Sequence, residues 1–237
     1  MIKRVFCAFL ILCVILISYF FAVNNRIYKS ISAMSYTNSR VIIIDAGHGG
    51  FDGGAVAYDG TLEKDLNLEM ALELDRLAEG LGFRTVMVRT TDRSTDSDGD
   101  QSGSKKVKDI KNRLNLMKKY ENSIYISLHM NKYSTSQPNG TQVFFAPYSG
   151  SDALAESIQS SVAEKLQPYN KRVVKPATRD IYLLYNATTP AVIVECGFLS
   201  NSKDLENLKQ KNYRNELAFS VLCGIMAYEN SLIKGAS

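Results

Sequence analysis

Two histidines, His48 and His129, are the only ones in the sequence, and each follows an apolar run. The runs are residues 41–45 and 124–128, and both are typical of buried strands. In open α/β sheets, ligands bind beyond the carboxyl ends of the strands. One histidine after a strand is more often packed or exposed than functional, but two in equivalent places favour a shared site.

Two carboxylates occupy comparable positions. Glu63 opens a predicted helix over residues 62–81, where the preceding turn would bring it back toward His48. This acid could instead serve only to complement the helix dipole. Glu195 ends the apolar strand 191–194. A carboxylate that continues so apolar a strand is costly to bury unless it is paired or bound to a metal.

Two neutral imidazoles and one carboxylate form a known catalytic zinc set that leaves the fourth position to water. Zinc lowers the pKa of that water to about 7 and polarises a scissile carbonyl. A second carboxylate, not bound to the metal, can accept the proton of the water and deliver it to the leaving nitrogen. The two histidines and two acids together meet both needs, although the residues alone do not identify the substrate.

The elements that must position these residues alternate between strands and helices. Besides the runs before the histidines, strands are predicted over residues 83–88, 141–146 and 191–194, and helices over residues 62–81, 105–120, 151–167 and 212–232. This alternation predicts an α/β sandwich around a mainly parallel sheet. Residues 90–104 are rich in Ser, Asp and Gly, and we expect a mobile surface loop there, with substrate gating as the alternative.

The N-terminal residues 1–23 are predicted to be a transmembrane anchor or a signal segment. Two basic residues precede an uncharged, apolar stretch of 19 residues, Val5 to Val23, and about 20 such residues span a bilayer as a helix. A secretory signal has a shorter apolar run that ends in small residues, so an uncleaved anchor is favoured. Residues 24–39 are polar and predicted to be a tether, which places the folded domain over residues 40–237.

Composition excludes two broad classes of protein. Hydrophobic residues make up 45% of the chain and charged residues 22%, which is a globular balance rather than that of a disordered chain. The net charge of +4 is too weak to argue for nucleic acid as the main partner, so we expect none.

Four sequence blocks resemble the zinc-dependent N-acetylmuramoyl-L-alanine amidases of bacterial cell-wall metabolism (amidase type 3), over about residues 40–232. The blocks are Ile43 to Gly50 (IIDAGHGG), Glu63 with Asn67-Leu68, Ser127 to Asn131 (SLHMN) and Glu195 to Asn201 (ECGFLSN). The resemblance implies a three-layer sandwich, similar to zinc exopeptidases, with a central, mainly parallel six-stranded sheet flanked by helices. Here an N-terminal membrane helix would precede it. The resemblance also implies that His48, Glu63 and His129 bind one zinc ion per chain and that Glu195 is catalytic.

The activity that this resemblance implies is cleavage of the bond between the lactyl group of muramic acid and L-alanine, with peptidoglycan as substrate. A membrane segment and one catalytic domain without wall-binding repeats are typical of the small sporulation-type members from spore-forming Gram-positive bacteria. These strip peptides from selected muramic acids so that muramic-δ-lactam can form in the spore cortex. We therefore expect an exported enzyme, joined to the membrane by its N-terminal segment, that acts on the outer face (the forespore intermembrane space for the sporulation type).

Several alternatives stay open. The protein could be a vegetative cell-wall amidase that acts in cell separation, or a catalytically inactive wall-binding scaffold. It could also be a related zinc exopeptidase, which needs a basic residue to grip a terminal carboxylate, and Arg89, Arg93 and Arg179 are the candidates. Because the implied zinc ligands come from separate segments, an accessory protein that stabilises metal loading is a further hypothesis.

Overall fold

The computed structural model describes residue 18, residues 40–98 and residues 103–235. The predicted membrane segment and tether otherwise lie outside these residues, as does part of the loop predicted at residues 90–104. The domain boundaries therefore stay predictions.

Strands and helices alternate along the described part of the chain. The strands are β1 (Val41–Ala46), β2 (Thr85–Met87), β3 (Ser123–Asn131), β4 (Gln142–Phe145), β5 (Lys175–Pro176) and β6 (Ala191–Phe198). The helices are α1 (Glu63–Gly80), α2 (Lys105–Lys119), α3 (Ser151–Lys165), α4 (Tyr182–Tyr185), α5 (Ser202–Lys209) and α6 (Lys211–Gly235).

The described strands form one six-stranded sheet in the order β2-β1-β3-β6-β4-β5. All neighbours pair in parallel except β4, which runs antiparallel to β6. Helix α6 packs against both α1 and α3, and α1 and α3 contact the sheet. On the opposite face, side chains of α2 and α4 join a core with Ile43, Tyr125 and Ile193. This confirms the predicted three-layer α/β sandwich with a mainly parallel sheet.

The register of the central strands decides which polar side chains share a face. Side chains alternate between the two faces of a strand, so Asp45 and His129 point to the same face as the core residues Ile43 and Tyr125. In the ladders, Asp45 is paired with Ser127 and His129 with Glu195. The sheet therefore carries a row of polar groups at the carboxyl ends of three adjacent strands.

Two of the predicted strands are longer than the sequence indicated. His129 was expected to follow its strand, and Glu195 to end one, but both lie inside longer strands. The parallel pairing of β3 with β6 continues through these two residues, and the register shifts only between His129 and Asn131. The sequence pattern missed β5, α4 and α5, which span only two, four and eight residues.

Among the described residues, one helical stretch is long and apolar enough to cross a membrane, Lys211–Ile233 in α6. Half of its most apolar window is buried inside the domain, and α6 packs against α1 and α3. This stretch is therefore a core helix of the sandwich.

Candidate metal centre

His48 lies in the loop that joins β1 to α1. Its φ angle is 61°, in the left-handed region that residues with a side chain seldom adopt. Such a conformation persists when the surrounding structure holds it in place. The imidazole Nδ1 lies 3.0 Å from Asp52 Oδ2, and the backbone carbonyl accepts a hydrogen bond of 2.7 Å from Arg113 Nη2. The residue is thus held at both its ring and its backbone.

His129 belongs to β3, which is flanked by β1 on one side and β6 on the other. Its imidazole lies against the loop of His48 at Gly47. A Cβ atom added to Gly47 would lie 2.3 Å from ring atoms of His129, so a side chain at this position would displace the ring or the loop. The absence of a side chain at Gly47 lets the loop and the strand approach each other.

Glu63 is the first residue of α1, as predicted, and its carboxylate is buried between the two histidines. Glu63 Oε1 lies 3.2 Å from His48 Nε2 and 3.0 Å from His129 Nδ1. Backbone amides of Met130 and Ala55 donate to its two oxygens at 3.1 and 2.7 Å. Burial raises the pKa of Glu63, but the two histidines lower it more, so the carboxylate stays ionised.

Together, these three side chains can act as a metal-ligand set. One ligand atom from each of His48, Glu63 and His129 lies within 4.8 Å of the others, and the two rings meet edge to face with centroids 4.9 Å apart. Burial lowers the pKa of His48, but Glu63 and Asp52 raise it more, to about 9. The site thus favours positive charge, and its imidazole and carboxylate donors fit a zinc ion.

Glu195 lies beside this cluster because its strand pairs it directly with His129. Its Oε2 atom is buried and has no hydrogen-bond partner among the described residues. Burial raises the pKa of Glu195 to about 7, although the nearby His129 lowers it. A carboxyl group with this pKa can both accept and release a proton near neutral pH.

A cavity of about 190 Å³ opens beside the histidines and gives a ligand access to the cluster. Its lining includes His48 and His129, the apolar side chains of Ile110, Ile181, Leu183 and Ile193, and the charged side chains of Lys106 and Asp180. The site thus combines a metal-ligand set, a buried acid and room for an amphipathic ligand.

The three arginines considered for gripping a terminal carboxylate differ in their surroundings. Arg89 is only 1% exposed and donates to the backbone carbonyls of Ala46, Gly47, Lys64 and Thr91. Arg93 pairs with Asp98 at 2.6 Å. Arg179 is exposed and lies against the ring of Tyr185. Arg89, the most buried of them, is therefore a support of the His48 loop.

Three polar residues of the site were missed by the sequence reasoning. Asp45 pairs with Arg113 in the core and accepts a hydrogen bond of 2.7 Å from Ser127, and Asp52 holds the ring of His48. One signal was available for Asp45, because it ends a β-branched run and is costly to bury without a partner. Nothing in the sequence indicated that Arg113, among the many cations of its helix, points inward.

Comparisons with known proteins agree with the resemblance seen in the sequence. The family described as N-acetylmuramoyl-L-alanine amidase (Amidase_3) matches residues 42–227. The germination-specific N-acetylmuramoyl-L-alanine amidase of Bacillus subtilis (strain 168) is 32% identical over 193 residues, covering 81% of this chain and 80% of that protein.

Solved structures give the same result. The CwlD amidase from Clostridioides difficile, solved in complex with the GerS lipoprotein, matches with a TM-score of 0.75 and 34% identity, covering 80% of this chain and 98% of that chain. An N-acetylmuramoyl-L-alanine amidase from Clostridium difficile 630 matches with a TM-score of 0.70 and 26% identity, covering 82% and 98%.

Proposed function

Because this chain belongs to the N-acetylmuramoyl-L-alanine amidase family, we propose that His48, Glu63 and His129 hold one zinc ion and that Glu195 is the catalytic acid and base. The enzyme is an amidase of peptidoglycan and acts on the wall, outside the cytoplasm. The observation that supports this assignment of residues is the convergence of the three donor groups beside one buried carboxyl group, whose Oε2 atom has no hydrogen-bond partner in the described part of the chain.

Each side chain has a separate task in the proposed reaction. A zinc ion in this set supplies a water of lowered pKa and polarises the scissile carbonyl. Glu63 stays ionised between the two imidazoles and would be the third ligand beside them. Glu195 accepts through Oε2 the proton that the water gives up as its oxygen bonds to the lactyl carbonyl carbon, and passes it to the nitrogen of L-alanine as the amide bond breaks. Burial raises the pKa of Glu195 above that of an ordinary carboxyl group, which favours holding the proton between the two transfers.

We further propose that this amidase acts on the spore cortex, where removal of the stem peptide allows muramic-δ-lactam to form. The germination-specific relative in Bacillus subtilis supports this role, since the match covers most of both proteins. The competing proposal is a vegetative amidase of cell separation. To decide between them, muramic-δ-lactam is measured in spores of a strain that lacks this gene, and in the same strain after it receives the wild-type or the Glu195→Gln gene. Loss of the lactam that only wild type restores supports the cortex role.

Two proposals concern the surroundings of the enzyme. The N-terminal segment would join the chain to the membrane, and fractionation of cells that express the full chain tests this: release of a shortened, soluble form would contradict an anchor. An accessory protein would stabilise metal loading, in line with the lipoprotein complex of the relative from Clostridioides difficile. Equal zinc content with and without host membrane extract would argue against such a partner.

Product analysis on purified muropeptides tests the reaction itself. The full chain in detergent should release intact stem peptides with a free L-alanine amine. A chelator should remove this activity, and added zinc, but not added magnesium, should restore it. Release of single amino acids would instead identify the exopeptidase. That alternative is weakened by Arg89 and Arg93, whose guanidinium groups already have protein partners. No turnover under any metal would favour the scaffold.

A further inference from the structure

A buried arginine connects helix α2 to the backbone of His48. Arg113 is 4% exposed, and its Nη2 atom donates to the His48 carbonyl at 2.7 Å. Its Nη1 atom pairs with Asp45, and its Nε atom donates to Asp109 Oδ2 at 2.8 Å. With a carboxylate on each side, the guanidinium group has little freedom to move away from the His48 carbonyl.

The contact continues into the segment of residues 91–98, which precedes α2. Asp109 is buried, and its Oδ1 atom accepts hydrogen bonds from the backbone amide and the hydroxyl of Thr95, at 2.6 and 2.8 Å. Asn112 Nδ2 donates to the carbonyl of Thr95 at 2.6 Å. Thr95, Asp109 and Arg113 thus form a continuous buried chain that ends at His48, and we call these three residues the His48 brace.

The same segment contacts the His48 loop a second time. Asp92 accepts a hydrogen bond of 2.8 Å from the amide of Gly50 and one of 2.7 Å from Lys64 Nζ. Lys64 in turn donates to the carbonyl of Gly50 at 3.0 Å. Segment 91–98 is therefore connected to the loop at two points, His48 and Gly50, which lie only two residues apart.

These contacts explain how a histidine keeps a backbone angle that is unfavourable for it. The φ of 61° at His48 lies outside regular structure, so no ladder of backbone hydrogen bonds maintains it. None of the brace residues takes part in the proposed proton transfers. Because side chains around a metal ligand orient it, their loss usually weakens metal binding by about 10–100-fold.

From this geometry, we propose that the His48 brace determines how tightly the metal centre binds zinc, with Arg113 as a positioning residue. The inference rests on the proposed function, since it takes His48 as a zinc ligand. Segment 91–98 thereby acts on the metal site through Thr95 and Arg113, although it supplies no ligand itself.

Zinc affinity of full-chain variants tests the brace directly. Arg113→Lys keeps the charge but loses the planar set of donors that contacts Asp45, Asp109 and the His48 carbonyl at once. We expect its zinc dissociation constant to rise by about 10–100-fold. Thr95→Val replaces the hydroxyl with a methyl group, and we expect a rise of about 10-fold, at the weak end of such effects. Competition with a chromophoric chelator gives both constants.

Matched variants elsewhere separate positioning from general stability. Arg214 is also buried, at 6% exposure, donates to the carbonyl of Leu208 at 2.6 Å and pairs with Glu69. Ser161 is buried and donates to the carbonyl of Ser220 at 2.7 Å. Arg214→Lys and Ser161→Ala should lower the Tm but leave zinc affinity unchanged.

The outcomes distinguish this inference from the proposed function. Wild-type zinc affinity in Arg113→Lys and Thr95→Val would overturn the brace alone, as would an equal loss of affinity in Arg214→Lys. A wild-type chain that binds no zinc would overturn both proposals. If Arg113→Lys fails to fold, Thr95→Val decides, because it keeps the arginine and both of its carboxylate partners.

Discussion

His48 and His129 meet at one carboxylate, but the backbone that carries each is held in a different way. His129 lies within β3, between β1 and β6, and its place follows from the pairing of these parallel strands. His48 lies in a loop, at a positive φ, and its place depends on side chains, namely Arg113 from α2 and Asp52 from the loop itself. The strand histidine is supported by backbone, and the loop histidine by side chains.

This difference matters because the two kinds of support respond differently to substitution. Backbone hydrogen bonds in a ladder survive most changes of side chain, whereas a contact made by one side chain is lost with it. We therefore expect zinc binding to tolerate changes around the strand side of the site (His129 and Glu195) and to be sensitive to changes around the loop side (His48). Three further predictions test this comparison.

The largest effect should come from the strand side, at the proposed acid and base. Glu195→Gln removes the ionisable group but keeps the size of the side chain, and we expect kcat to fall by about 10³-fold. Zinc content should not change, because Glu195 lies outside the proposed ligand set. Muropeptide kinetics with parallel metal analysis would show this.

The control for that variant is a second buried carboxyl group. Glu229 also has an oxygen, Oε1, without a hydrogen-bond partner among the residues that the structure describes, and its pKa is raised by burial, but it lies on α6. Glu229→Gln should keep wild-type kcat. If Glu195→Gln lost its zinc, or if both variants kept full activity, the assignment of His129 as a ligand and Glu195 as the acid and base would be wrong.

A second effect is expected where loop and strand meet. In Gly47→Ala, the new Cβ would overlap the His129 ring, so the ring or the loop must shift. We expect zinc affinity to fall by about 100-fold, the upper end for changes next to a ligand, together with a lower Tm. Gly80→Ala is the control, because a Cβ there meets nothing within 4 Å. Unchanged zinc affinity in Gly47→Ala would show that the His48 loop can shift to make room for the new Cβ, despite the side chains that hold it.

The smallest effect concerns the ring of His48. Asp52→Asn removes the charge beside Nδ1 but keeps an oxygen that can accept its hydrogen bond, so we expect zinc affinity to fall by about 10-fold. Asp59→Asn, in the same loop, removes only an ion pair with Lys209 and should have no effect on zinc. An equal loss in both variants would point to a general weakening of the loop.

The sequence predicted the strand side of the site better than the loop side. Apolar runs before His129 and Glu195 indicated strands, and parallel strands bring their carboxyl ends to one edge, so their proximity followed from general rules. The acid that opens α1 was found for a similar reason, since a helix start is marked by its pattern. The exact ends of β3 and β6 were wrong because pairing, and not the side-chain pattern, decides where a strand stops.

The supports of His48 could not be predicted in the same way. Arg113 follows a run of lysines in α2, and its type and spacing do not distinguish it from exposed cations of that helix. Thr95 lies in a segment that composition alone marks as a surface loop, yet its side chain is buried against Asp109. Contacts between side chains that are far apart in sequence cannot be predicted from local periodicity, because the periodicity depends only on neighbouring residues. The tertiary structure is needed to find them.

The three converging donors belong to residues 48, 63 and 129, so the last of them lies 81 residues after the first. An unfolded chain does not hold these donors together, so the site forms with the fold and the ion is bound by the folded sandwich. For an enzyme that works outside the cytoplasm, the metal would then be taken from the exterior and not carried across the membrane. External zinc would act as a ligand of the native state, and starvation for it would leave folded but idle protein at the wall.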